Sequence, residues 1–200
     1  GSGFVGQALI KKLVSDKTKI IVATVHSQNT EDLISSDNLI WKEINLLDGD
    51  LKDLFLEIDV VYHLAGYSGL GSGVDEITKL TLLNEKLTQR LLEHGSNAEL
   101  KHFIYISSIS ACEKSTEEYV NEENGLPQST YGLSKKKTEE IVMSFSSQNL
   151  PITILRPTAL FGKNHKGSIY ELTKRIKDKR FFIIGTGDNF TNFYYIEEFI

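Results

Sequence analysis

The chain has one cysteine, Cys112, among its 200 residues. A single thiol cannot form an internal disulfide, which favours a reducing, cytoplasmic location. Long hydrophobic runs are also missing: no stretch of about 18 apolar residues occurs, so a membrane-spanning helix is excluded. Positive charge is not in excess either. The formal net charge is −5, whereas a general nucleic-acid binder needs a basic face. These absences leave an ordinary globular chain, 40% hydrophobic and 24% charged, with enough apolar material for a core.

Strand-like runs alternate with helical patterns along the chain. Runs rich in β-branched and aromatic residues predict strands over 19–25, 39–44, 59–65, 102–107 and 151–156. Apolar residues at helical spacing predict helices over 7–14, 77–94, 130–148 and 169–179. The polar stretch 113–128 predicts a surface loop, and 181–190 predicts a short strand and a glycine turn. The alternation predicts βαβ units and an α/β fold with a mostly parallel sheet.

A glycine pattern opens the chain. Gly1, Gly3 and Gly6 are spaced as Gly-x-Gly-x-x-Gly and lead into the first predicted helix. Such a turn lets backbone approach a pyrophosphate, whose charge is stabilised at the helix N-terminus, so the pattern predicts a dinucleotide site. A flexible tag is the alternative, but Phe4 and Val5 continue directly into the helix. The strand expected before the turn is missing from the sequence, so we expect the chain to be a piece of a longer protein.

The end of the second expected strand does not decide between NAD and NADP. An acidic residue that binds the adenosine ribose is expected there, but the sequence reads Thr24-Val25-His26-Ser27. The missing carboxylate weakens an NAD-specific reading, and His26 or Ser27 would tolerate a 2′-phosphate. No arginine is present there to favour NADP, so both cofactors remain open.

Tyr131 and Lys135 lie four residues apart in a predicted helix. Side chains at i and i+4 share a helix face, so the Lys135 ammonium is expected beside the Tyr131 hydroxyl. A nearby cation favours the phenolate and lowers the pKa of a tyrosine, which then becomes a general acid or base. On spacing alone, a chance surface pair remains the alternative.

Five motifs together resemble a known family. In order they are Gly3-Phe4-Val5-Gly6, His63-Leu64-Ala65-Gly66, Ser107-Ser108, Tyr131 with Lys135, and Leu155-Arg156-Pro157-Thr158-Ala159-Leu160-Phe161-Gly162. This order resembles the extended short-chain dehydrogenase/reductases, the NAD-dependent epimerase/dehydratase family. The resemblance implies a Rossmann-type doubly wound parallel sheet whose first strand is missing here. It also implies a dinucleotide-binding domain over residues 1–160 and the start of an incomplete substrate-binding region over 161–200.

The resemblance assigns roles to individual residues. Ser108, preferred over Ser107, would bond the reacting oxygen, Tyr131 would exchange its proton, and Lys135 would hold the nicotinamide ribose. The implied cofactor-binding residues are Gly3, Phe4, Val5, Gly6, His26, Asn45, Leu46, Leu64, Ala65, Gly66, Asn84, Tyr131, Lys135 and Pro157. Asn45 stands where the family usually has an aspartate.

Other polar residues carry a structural interpretation. His63 is expected to be a structural histidine at a strand end, because it lacks metal-spaced partners. Asn84 is equally well explained as an exposed polar residue of a helix. Lys136, Lys137, Glu139 and Glu140 are expected to form a solvated helix face with i,i+4 pairs.

The implied function is an NAD- or NADP-dependent sugar-nucleotide epimerase or reductase with a Ser-Tyr-Lys centre and no metal. The alternatives are a dehydrogenase or reductase of a sterol or other small alcohol or ketone, and a non-catalytic dinucleotide-binding regulator. The expected partner is a small molecule, with no nucleic acid and no membrane. The family also implies a homodimer that pairs through the helices predicted over 77–94 and 130–148.

Overall fold

The computed structural model describes residues 1–26, 33–69, 73–112, 126–146, 150–183, 185–188 and 191–200. The strands are β1 (Ile21–Val25), β2 (Leu39–Glu43), β3 (Val60–His63), β4 (His102–Ile106), β5 (Ile152–Leu155), β6 (Ala159–Phe161) and β7 (Phe193–Tyr195). The helices are α1 (Phe4–Leu13), α2 (Val74–Leu80), α3 (Leu87–Ser96), α4 (Thr130–Ser146), α5 (Ser168–Lys177) and α6 (Ile196–Phe199). Strands and helices therefore alternate as the sequence predicts.

All strand pairs in the described part of the chain are parallel. Strand β1 pairs with β2, and β4 lies between β3 and β5. Strands β6 and β7 form a separate pair. Parallel neighbours need a crossover connection. Helices α2 and α3 lie in the connection from β3 to β4, and α4 lies in the connection from β4 to β5. The predicted α/β fold with Rossmann-type parallel sheets is confirmed.

A cleft separates the two main sheets. Among the described residues, β1 pairs only with β2, and β3 pairs with β4 but with no strand on its other side. A cavity of about 550 Å³ is lined by both of these strands and by apolar residues of α1, including Ile10 and Leu13. The two strand edges and the apolar wall provide the environment of one further parallel strand.

The core lies where α3 and α4 pack on β4. Phe103 and Tyr105 of β4 are buried, as are Leu91 and Leu92 of α3 and Val142 of α4. Side chains two apart in a strand point to the same face, so Phe103 and Tyr105 both enter this layer. This packing fixes α4, which carries Tyr131 and Lys135, against the carboxyl end of β4.

One predicted helix is divided in the structure. The segment predicted over 77–94 consists of α2, a π-helical stretch Thr81–Lys86, and α3. Single π turns inside helices frequently mark functional sites. Here the π-helical stretch contains Asn84, whose side chain makes three hydrogen bonds outside its own helix.

The region after β6 differs from the prediction. No strand forms over 181–183, where Phe181, Phe182 and Ile183 are 50–71% exposed. These residues have high β-propensity but no partner strand among the described residues, and an unpaired strand is not stable in water. The glycine turn is present, with positive φ at Gly185 and Gly187. The sequence did not predict the short strands β6 and β7, because each has only three residues. Residues 113–125 of the predicted loop and 147–148 of the predicted helix lie outside the described residues.

Candidate active site

The glycine turn is built for close approach of backbone and ligand. Helix α1 begins at Phe4, and Gly3 at its N-cap provides no capping side chain. A Cβ on Gly6 would lie 2.3 Å from the carbonyl oxygen of Gly1, so glycine is required there for packing. A Cβ on Gly3 would meet nothing within 4 Å, because this residue faces open space. The helix N-terminus and the space before Gly3 fit a bound phosphate group.

A single cavity collects the predicted site. Its volume is about 1300 Å³, and it opens at the carboxyl ends of β1, β3, β4 and β5. Ligands of open parallel sheets bind at this end. Its lining includes the predicted residues Gly3, Phe4, Val5, Gly6, His26, Asn45, Leu46, Leu64, Ala65, Gly66, Ser108, Tyr131, Lys135 and Pro157.

Asn84 is the predicted site residue that the structure does not place in the cavity lining. It is 1% exposed, so it is not the exposed helical residue of the alternative interpretation. Its Oδ1 accepts from the Tyr67 backbone N–H at 2.7 Å, and its Nδ2 donates to the Tyr67 carbonyl at 3.0 Å and to Ser134 Oγ at 2.8 Å. Asn84 therefore holds the segment after β3 in place behind Gly66.

Tyr131 and Ser108 both line the cavity. Burial raises the pKa of the Tyr131 hydroxyl above its usual value, while the hydrogen bond with the Ser108 side chain acts in the opposite direction. The sequence predicted a pKa lowered by Lys135, and the structure differs. Desolvation disfavours the charged phenolate, and Ser108 is the group that opposes it here.

Lys135 points its ammonium group at β4. Its Nζ donates to Tyr105 Oη at 3.1 Å and to the Ile106 carbonyl at 3.0 Å. The side chain is buried, and burial lowers the pKa of Lys135 to about 8, with Glu139 acting in the opposite direction. A lysine with a pKa near neutrality titrates within the working range of an enzyme.

Three further residues of the site were not predicted as binding residues. Ser107 also lines the cavity, and its buried Oγ has no hydrogen-bond partner in the described part of the chain. His165 stacks on Phe4 with ring centroids 4.1 Å apart, and it too lines the cavity. Tyr105 bonds Lys135 from within the core. No spacing rule links His165 or Tyr105 to the motifs, since tertiary packing brings them there.

The expectation for Glu139 is wrong. Glu139 is 6% exposed and forms a two-point ion pair with Arg156, with distances of 2.9 Å to Nε and 2.6 Å to Nη2. It therefore joins α4 to the end of β5 rather than belonging to a solvated face. Lys137 and Glu140 are exposed, as predicted.

His63 has a structural environment, in agreement with its interpretation. It is 3% exposed, its Nε2 lies 2.7 Å from Thr88 Oγ1, and its ring stacks on Tyr105 at 5.5 Å. Burial, helped by the charge of Lys135, lowers the pKa of His63 to about 3. The imidazole is therefore neutral at physiological pH.

The adenosine end of the cavity lacks acidic side chains. His26 follows β1 and is exposed, and Asn45 accepts from the Leu47 N–H at 3.1 Å through its Oδ1. The cavity-lining residues in the described part of the chain include no aspartate or glutamate. Together with the open cradle at Gly3, these residues fit an anionic dinucleotide.

Separately, no helix of the described residues is long and apolar enough to cross a bilayer.

Known proteins share this sequence pattern and fold. The sequence model of the NAD dependent epimerase/dehydratase family matches residues 1–200. A dTDP-D-glucose 4,6-dehydratase of Dictyostelium discoideum is 29% identical over all of this chain and 52% of its own length. A UDP-glucose 4-epimerase of Vibrio cholerae is 26% identical over 88% of this chain and 54% of its own length. The chain thus spans about half the length of these two relatives.

A solved structure extends the similarity to three dimensions. The UDP-glucuronic acid 4-epimerase of Bacillus cereus, in complex with UDP-glucuronic acid and NAD, superposes with a TM-score of 0.87 at 26% identity. The match covers 98% of this chain and 67% of that one. The resemblance carried by the five motifs is confirmed, and the chain belongs to the NAD-dependent epimerase/dehydratase family.

Proposed function

We propose that the protein containing this chain binds NAD or NADP and epimerises or reduces a nucleotide sugar at a carbinol or ketone carbon. One observation carries the proposal: Ser108 and Tyr131 line the same cavity as the glycine turn of α1. A ligand bound across this cavity reaches from a phosphate site to a proton-exchanging hydroxyl. The solved relative of Bacillus cereus was obtained in complex with UDP-glucuronic acid and NAD, which supports ligands of these two classes.

We assign cofactor binding and proton exchange to different residues of the site. The N-terminus of α1 with Gly3 would hold the pyrophosphate, and Lys135 would hold the nicotinamide ribose. When bound, the nicotinamide supplies the hydride chemistry. Tyr131 would exchange the proton of the substrate hydroxyl, while Ser108 orients that oxygen. Because burial raises its pKa, Tyr131 is protonated at rest, which is the form that donates to a carbonyl oxygen. Accepting the proton of a carbinol requires its phenolate form, which the Ser108 side chain favours.

Epimerisation or reduction fits the site better than sugar dehydration. Dehydration removes a proton and a hydroxyl from neighbouring carbons, which requires an acid and a base beyond Tyr131. The described lining residues contain no carboxylate to serve in either role. A single proton-exchanging hydroxyl is sufficient for hydride removal and return.

The cofactor, partner and location follow as further parts of the proposal. The relative bound to NAD favours NAD, and the uncharged end of β1 at His26 tolerates NADP. A homodimer is supported by the exposed apolar side chains Ile77 on α2 and Leu133 and Met143 on α4. A cytoplasmic location stays a prediction. So does the division into a cofactor domain over 1–160 and a substrate region from 161.

Substitution of the proposed acid tests the function directly. The full-length protein is incubated with NAD⁺ and either UDP-glucose or UDP-glucuronic acid, and the epimers are separated by chromatography. In Tyr131→Phe we expect turnover to fall by about 10²–10⁴-fold, with NAD⁺ affinity within a few-fold of wild type. Tyr170→Phe, which removes an exposed hydroxyl on α5, should leave turnover unchanged.

Other results would redirect the assignment. Undiminished turnover in Tyr131→Phe would remove the acid–base role. Oxidation of secondary alcohols without conversion of any nucleotide sugar would favour a small-alcohol dehydrogenase. Dinucleotide binding without either reaction would favour a regulator.

A further inference from the structure

Lys135 is held by a second tyrosine. Two of its three N–H groups are used by acceptors on β4, the Tyr105 hydroxyl at 3.1 Å and the Ile106 carbonyl at 3.0 Å. The ammonium also lies 4.8 Å from the centre of the Tyr105 ring. An ammonium group has three donors in tetrahedral directions. Two fixed acceptors therefore determine where the third donor points.

The ammonium of Lys135 lies beside the cavity. A Cβ on Gly66 would lie 3.8 Å from Lys135 Nζ, and both residues line the cavity. Gly66 thus leaves space beside the ammonium where a longer side chain would stand. A hydroxyl of a bound ligand is the kind of acceptor that this donor requires.

Tyr105 is itself rigid. It is 1% exposed, and its ring stacks on the buried His63. Its hydroxyl accepts from Lys135, and the neighbouring Thr138 is itself held by the bond that its Oγ1 donates to the Ser134 carbonyl at 2.7 Å.

We propose that Tyr105 is a positioning residue that fixes the Lys135 ammonium, so that its remaining N–H is presented to a ribose hydroxyl of the dinucleotide. This inference rests on the proposed function for the identity of the ligand. It assigns to Tyr105 a role through Lys135 and no contact of its own with substrate, since Tyr105 lies behind the cavity wall in the core.

The charge state of Lys135 reports on this role. Burial lowers the pKa of Lys135, and Glu139 on the same helix raises it. Tyr131, one turn earlier, Tyr105 on β4 and His63 on β3 are titratable groups near it, and all three are neutral at pH 7 because burial disfavours their charged forms. The Tyr105 oxygen supports the ammonium form, so its removal should lower the pKa of Lys135 further.

The first experiment needs no cofactor. In full-length protein with ¹³C-labelled lysine, the Cε shift of Lys135 is titrated between pH 6 and 11, and its signal is identified by its absence from Lys135→Arg. Tyr105→Phe keeps the ring and removes the acceptor. We expect it to lower the Lys135 pKa by about one unit, because a hydrogen bond to a charged group is lost. Tyr62→Phe, a 40% exposed tyrosine on the neighbouring strand, should leave it unchanged.

The second experiment measures NAD⁺ affinity by titration calorimetry across the same pH range. Wild-type affinity should fall as Lys135 loses its proton, and Tyr105→Phe should move this fall to lower pH by the same amount. A Tyr105→Phe protein whose Lys135 titration and NAD⁺ profile coincide with wild type overturns the inference. If wild type binds neither NAD⁺ nor NADP⁺, the proposed function is overturned instead, and with it the ribose contact.

Discussion

Gly3 and Gly6 belong to one turn, yet a methyl group added to each would meet different surroundings. At Gly6 it would press on the Gly1 carbonyl, and at Gly3 it would project into open space. The backbone at Gly3 is extended, with φ −74° and ψ 173°, so alanine fits there without strain. Substitutions at Gly6 and at Gly3 can therefore test packing and ligand binding separately.

We expect Gly6→Ala to lower the free energy of unfolding by about 1–3 kcal/mol through overpacking. Gly3→Ala should leave it unchanged within about 0.5 kcal/mol. The same Gly3→Ala change should weaken NAD⁺ binding about 10-fold or more, because the methyl group occupies the phosphate cradle. Chemical denaturation and calorimetric titration provide the two measurements. Equal destabilisation by both substitutions would contradict this reading of the turn.

The buried His63 predicts an acid-sensitive fold. Its pKa is depressed to about 3 in the folded state, against an ordinary value of 6.5. Below pH 6.5 His63 therefore binds a proton in the unfolded chain but not in the folded chain. Stability is complete above pH 6.5 and falls with pH until about pH 3, with a slope approaching about 1.4 kcal/mol per pH unit.

Thermal unfolding between pH 7 and pH 4 measures this loss of stability. His63→Gln retains an amide that can reach Thr88 but does not titrate, so its stability should fall less steeply with acid than that of wild type. Parallel pH profiles for the two proteins would show that His63 does not contribute to the slope. The comparison of slopes is independent of any loss in absolute stability caused by the substitution.

At the scale of elements, α4 and β5 are joined by the pair of Glu139 and Arg156. Glu139 is buried, while the side chain of Arg156 is 26% exposed. Removing one partner of such a pair leaves the other charge poorly compensated. We expect Glu139→Gln to reduce the free energy of unfolding by about 2 kcal/mol, and Glu140→Gln, on the exposed side of α4, to have little effect. Both are measured by chemical denaturation, and similar losses in the two variants would disprove the coupling of α4 to β5.

The π-helical stretch Thr81–Lys86 contains Asn84, whose side chain contacts a segment outside its own helix. Asn84 turns its amide towards the Tyr67 backbone, and this fixes the segment that follows β3. Sequence periodicity predicted one continuous helix here because the leucine stripe continues through the stretch. The extra residue in the turn becomes visible only once the partners of Asn84 are known.

At the scale of the whole molecule, exposed apolar side chains on α2 and α4 predict self-association. Ile77 is 51% exposed, Leu133 46% and Met143 56%. A glutamate placed within an apolar contact has to be desolvated, which weakens the interface. We expect the full-length protein to sediment as a dimer and Met143→Glu to sediment as a monomer. Ile176→Glu, on the exposed helix α5, should stay dimeric, and a monomeric wild type would exclude the arrangement.

The sequence by itself determined the alternation of strands and helices, the parallel sheet and many of the residues that line the cavity. These follow from apolar periodicity and from motifs that are local in the chain, such as the glycine turn and the spacing of Tyr131 and Lys135. Their order along the chain also sufficed to indicate the family, since each motif ends a strand or begins a helix.

Tertiary structure alone decided what each polar side chain contacts. Glu139 was predicted on a solvated face but pairs with Arg156. Asn84 lies behind the cavity wall. Lys135 donates to Tyr105 and Ile106. The pKa of Tyr131 rises where spacing predicted a fall, because burial outweighs the hydrogen bond from Ser108. Desolvation and hydrogen bonding depend on groups distant in the chain, and helical spacing carries no information about them.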